Sequence, residues 1–146
     1  MFKKLNAQKV IHFFSVIELI YGILFLVVAG LFIAGLSYVS SQDATIAQRV
    51  SKSFPDLVFP LVKSIINAIL IFVQWRALKT LSKDASKHHR AWVITLFVIA
   101  FEIMNFITNL TVGVPRGFGT LVSSIIINLI ILYFITQVNA QAQTNA

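Results

Sequence analysis

The chain has 146 residues, of which 58% are hydrophobic and 12% charged, with a mean hydropathy of +0.85. That leaves too little polar surface to clothe a water-soluble globule. A net charge of +7 would suggest nucleic acid as the partner of a soluble protein, but the cations stand at the ends of apolar runs, where they orient membrane helices instead. The expected partner is therefore the lipid bilayer, with no nucleic acid. The absence of cysteine excludes disulfides, a thiolate nucleophile and Cys-ligated metal.

Lys3, Lys4 and Lys9 open the chain, and an apolar run follows from Val10 with no charge between Leu19 and Val39. This predicts a first crossing over about 10–39. A signal peptide also begins with a basic stretch, but its apolar core spans only about 7–15 residues, and this run is longer. Small residues Gly22, Ala29, Gly30, Ala34 and Gly35 suit close helix packing. Between Ser40 and Asp56 lies a polar connection. Ile46, Val50 and Phe54 recur there every four residues after candidate caps at Ser41 and Asp43, as in a short helix on the outer interface.

The second crossing is expected over 57–78, with Pro60 in its first turn and Trp75, Arg76 and Lys79 anchoring its end. A polar loop over 82–90 precedes the third crossing, 91–112. Gly113, Pro115, Gly117 and Gly119 then read as a tight turn before the fourth crossing, 118–138. The tail 139–146 is uncharged, poor in apolar residues and expected to be disordered. Residues 1–138 thus form one transmembrane domain. The expected fold class is all-α: a polytopic antiparallel bundle of four transmembrane helices.

Internal similarity points to two repeated helical hairpins. Leu61-Val62-Lys63-Ser64-Ile65-Ile66 aligns with Leu121-Val122-Ser123-Ser124-Ile125-Ile126, with Asn67 and Asn128 just beyond. Phe13, Glu18, Ile23 and Leu26 align with Phe97, Glu102, Ile107 and Leu110 at one offset. Eight basic residues (Lys3, Lys4, Lys9, Arg76, Lys79, Lys83, Lys87, Arg90) fall on one side against three (Arg49, Lys52, Arg116) on the other. By the positive-inside rule both termini are cytoplasmic, in a multi-pass protein of the cell membrane. Orientation accounts for this basic side more simply than a dedicated role in binding acidic lipids or a partner.

The informative residues are those a bilayer should reject, since a central charge costs about 2.5–3.5 kcal/mol on insertion scales. Glu102 is near the middle of the third crossing, with Asn105 and Asn109 on its face. Lys63, Asn67 and Gln74 share a face in the second, and Thr120, Ser124 and Asn128 in the fourth. At about 1.5 Å of rise per residue, Asn67, Glu102 and Asn128 come out level, near the midplane. Lys63 is about 7 Å nearer the outer surface, within reach of Glu102 or free to snorkel outward. Lys63, Asn67, Glu102, Asn105 and Asn128 therefore form a candidate intramembrane polar cluster, and Glu18 with Arg76 a candidate ion pair on the cytoplasmic side.

Adjacent His88 and His89 have no acidic or thiol companion at metal-ligand spacing, and His12 reads as an interfacial anchor. The glycines after Val112 lack the strand and the Gly-Lys-Ser/Thr ending of a phosphate loop. Asn109-Leu110-Thr111 has the form of a glycosylation acceptor but falls at the membrane boundary. No hydrolase elbow, zinc-helix motif or paired aqueous carboxylates occur, so no enzyme, metal or cofactor is expected. Two functional classes remain. One is a non-enzymatic accessory or interaction component whose polar residues hold helices together, within the chain or with a membrane protein partner. The other is a small transporter or channel subunit in which Glu102 takes up a proton or cation; it implies a homo-oligomer, since four helices are few for a transport pathway.

Overall fold

The computed structural model describes residues 6–111 and 118–144, with backbone only at 55–57 and 59–60. Among the described residues it is helical almost throughout: α1 is Ala7–Gln42, α2 Ala44–Leu81, α3 His88–Thr111 and α4 Phe118–Thr144, with a short 3-10 turn, Ala85–Lys87, before α3. Each of the four carries a segment long and apolar enough to cross a membrane. They are apolar on nearly every face, as helices solvated by lipid are. Lys3, Lys4, Arg116 and the Gly113–Gly117 turn lie outside the described residues, as do the side chain of Pro60 and the last two positions of the tail.

The differences from the sequence reading that change the architecture lie on either side of Asp43 and at the end of α4. The polar stretch after Ser40 is not a connection with a separate helix. α1 runs on to Gln42, Asp43 alone interrupts, and α2 then continues unbroken from Ala44 to Leu81. Its 38 residues span about 57 Å, nearly twice a hydrocarbon core, so a polar helical extension precedes the apolar Leu61–Leu81 segment. Asp43 makes the corner: its Oδ1 accepts from the Thr45 backbone N–H at 2.8 Å, which satisfies an orphan donor of the first turn. Ser41, the other expected cap, instead donates back to the Tyr38 carbonyl within α1. At the other end of the chain, α4 continues through Thr144, so 139–144 is helix where a disordered tail was expected. Gln141 gives that last turn a fixed partner, since its Oε1 accepts from the Ala7 N–H at 3.3 Å.

The chain divides into two compact units, Met1–Ile17 with Val73–Ala146 and Glu18–Phe72. In the first, Ala7 and Ile11 from the start of α1, Ala77, Leu78 and Leu81 from the end of α2, Ala91 from the start of α3, and Ile131, Ile135 and Val138 from the later part of α4 form one buried cluster. The three- and four-residue spacings put each set on one stripe of its helix. Phe14 and Phe134, 6.5 Å apart between ring centroids, extend this packing, and Phe106 and Phe118, at 5.9 Å, join the end of α3 to the start of α4.

In the second unit, Gly22 marks a close approach between α1 and α2. A Cβ there would meet Ile71 Cγ2 and Phe72 Cζ, each at 3.1 Å. Gly30 and Gly35 have nothing within 4 Å of the same position. Of the glycines proposed for packing, Gly22 serves it within the chain and these two do not.

Candidate functional site

The interior of the first unit contains a polar group that joins three helices. Gln74 of α2, Thr95 of α3 and Asn128 of α4 are almost fully buried. The Gln74 Nε2 donates to Asn128 Oδ1 at 2.7 Å and lies 3.5 Å from Thr95 Oγ1. Asn128 Nδ2 in turn donates to the Ser124 carbonyl at 2.9 Å, and the Thr95 hydroxyl to the Ala91 carbonyl at 2.9 Å. Each amide nitrogen has an acceptor, and among the described residues no buried side-chain nitrogen or oxygen lacks a partner. The short Gln74–Asn128 bond is the one that crosses between helices with good geometry; the Thr95 contact is at the outer limit.

Local periodicity explains how the three residues meet. On α3 the buried residues Ala91, Thr95 and Val98 recur at four and three residues. The same stripe continues through Glu102, Asn105 and Asn109, which are half-buried. On α4 the buried stripe is Asn128, Ile131, Ile135 and Val138. Gln74 stands one turn before Ala77 and Leu78 on the buried side of α2. The network is therefore the continuation of the apolar cluster, built on the same stripes.

This arrangement shifts the expected cluster. Asn128 pairs at the level of Thr95, and Glu102 lies seven residues further along α3, about 10 Å away by helical rise. The reckoning that put Asn128 level with Glu102 counted helical rise from expected crossing boundaries, whereas α3 begins at His88 and α4 extends to Thr144. Glu102 and Asn105 are half-buried, and each has an interaction partner. Lys63 and Asn67 belong to the second unit, where both are half-buried; Lys63 too is partnered. Glu18 is half-buried in the second unit, and Arg76 is exposed in the first.

Sequence reasoning missed Thr95, because a lone threonine in an apolar run reads as helix filler. Its signal was present in the stripe it shares with Ala91 and Glu102. At the start of α3, His88 is anchored locally, its Nδ1 3.2 Å from the Ala85 carbonyl. Chemically, Gln74, Thr95 and Asn128 have no group that titrates near neutral pH. They can donate and accept hydrogen bonds but cannot relay a proton as an acid or base.

No family model, curated protein or solved structure matches the chain.

Proposed function

We propose that the chain is an integral, multi-pass protein of the cell membrane, an antiparallel four-helix bundle with both termini cytoplasmic. It acts as a non-enzymatic accessory or interaction component, alone as a homo-oligomer or with another membrane protein. The antiparallel arrangement is favoured by the buried cluster, which collects the starts of α1 and α3 with the ends of α2 and α4. The orientation draws on the excess of Lys and Arg near that same end.

The observation that carries the functional reading is the Gln74–Asn128–Thr95 network. Each of its amide nitrogens has a protein acceptor, it is neutral, and it links three helices beside the buried apolar cluster. Between membrane helices such amide and hydroxyl pairs are adhesive, each worth roughly 0.6–2 kcal/mol. A solute or ion site would instead leave donors or acceptors directed at the traveller. Reconstitution into liposomes tests this: neither the unaltered chain nor Glu102→Gln should move protons or cations above the level of empty vesicles. A flux through the unaltered protein that Glu102→Gln abolishes would replace this reading with a transport role centred on Glu102.

A further inference from the structure

The last turns of α2 carry an open cleft of about 430 Å³, lined by Trp75, Arg76, Lys79, Thr80, Lys83 and Asp84. These residues fall on one side because the backbone keeps winding past Leu81. The Ser82 N–H donates to the Leu78 carbonyl at 2.9 Å and the Lys83 N–H to the Thr80 carbonyl at 3.1 Å. Positions 75, 79 and 83 thus stand above one another, with 76 and 80 alongside.

Three cations on one face repel, and like charges at this spacing are destabilising by themselves. The negative end of the α2 dipole favours Lys79, in the last turn, but its influence fades within that turn. The lining supplies little else. Asp84 is the one acidic residue of the lining, and its carboxylate is committed to the 3-10 turn, accepting from the Ser86 N–H at 3.0 Å. Ser86's hydrogen bonds, aided by the charge of Lys87, hold that carboxyl below its ordinary range. The walls are fixed in place: the Lys79 ammonium stands 4.9 Å above the Trp75 ring centre, and the Thr80 hydroxyl donates to the Arg76 carbonyl at 2.8 Å.

We propose that this cleft is a binding site for the phosphate of an acidic phospholipid, held by Arg76, Lys79 and Lys83 with Trp75 at headgroup level. The inference rests on the membrane reading above. A guanidinium beside two ammonium groups matches a phosphodiester oxygen pair. A lipid is favoured over free phosphate because four of the lining residues, Trp75, Arg76, Lys79 and Thr80, belong to the last turns of the apolar Leu61–Leu81 segment. Val73, exposed one turn before Arg76, offers an acyl chain a surface contiguous with the cations. Tryptophan beside basic residues at a helix end is also the composition of the membrane–water interface.

The test uses the full chain in neutral detergent, titrated with phosphatidylglycerol or phosphatidylcholine and read by native mass spectrometry. Phosphatidylglycerol should bind preferentially. The triple variant Arg76→Gln, Lys79→Gln, Lys83→Gln should lose roughly fivefold per cation, about a hundredfold together. Lys9→Gln, Arg49→Gln, Lys52→Gln, which removes the same charge elsewhere, should retain the preference. Equal loss in both triple variants, no loss in the first, or displacement of the lipid by inorganic phosphate alone would overturn the proposal.

A second readout does not need the triple variant to fold. With Trp92→Phe, Trp75 is the sole remaining tryptophan, and brominated phosphatidylglycerol should quench it at lower mole fraction than brominated phosphatidylcholine; equal quenching counts against the site. Alkaline carbonate extraction separates the two levels of the argument. A chain released by carbonate fails the membrane reading, whereas a retained chain with no lipid preference fails only this inference.

Discussion

The first turns of α1 and its later turns follow different rules. Ala7, Ile11 and Ser15 are buried at four-residue spacing, each at 1% exposure or less, whereas Val28, Leu31 and Phe32 are all more than 60% exposed. In water the second pattern would be untenable. In lipid, exposed apolar side chains carry no penalty and almost no positional information, because hydrocarbon is as good a neighbour as another helix. On the proposed membrane reading, the structure of this chain is specified by its few crowded or polar contacts, concentrated around the start of α1, the end of α2, the start of α3 and the end of α4.

That comparison can be broken by truncating one side chain from each region. Ile131→Ala, at a fully buried site, should lower unfolding stability by about 2–5 kcal/mol, whereas Leu31→Ala, at a 69% exposed site, should stay within roughly 0.5 kcal/mol. Chemical denaturation in mixed micelles measures both, and equal losses would mean that the later turns of α1 are packed rather than lipid-facing. A finer version uses glycines. Gly22→Leu drives a side chain against Ile71 and Phe72 and should cost about 1–3 kcal/mol. Gly30→Leu, at a position where an added Cβ meets nothing within 4 Å, should be neutral or stabilising, since glycine in a helix interior is about 1 kcal/mol worse than a good helix former. Thermal unfolding of the pair decides it.

The number of helices was legible because crossing a bilayer demands apolar length, a one-dimensional property that the chain displays directly. Helix ends were not. Polar residues in a helix that leaves the hydrocarbon look the same as those of a loop, which is why 40–56 read as a connection although only Asp43 interrupts the helix there. The candidate site was legible in part. Asn128 and Gln74 announced themselves as amides inside apolar runs, but their pairing depends on how far α2, α3 and α4 are offset along their axes, which residue counting along one helix does not supply. Gly22 and Gly30 carry the same sequence signal; only the presence of Ile71 and Phe72 beside one of them distinguishes their roles.

The central claim is that Gln74 and Asn128 bind helices to each other. A double-mutant cycle with Gln74→Met and Asn128→Leu, followed by unfolding of the full chain in lipid, tests it directly. Each single substitution strands a buried amide and should cost about 1–2 kcal/mol. The double variant, with both partners apolar and of similar volume, should recover most of that loss. Strictly additive losses would show that the two amides do not act as a pair, and the polar network would no longer explain how these helices are held together.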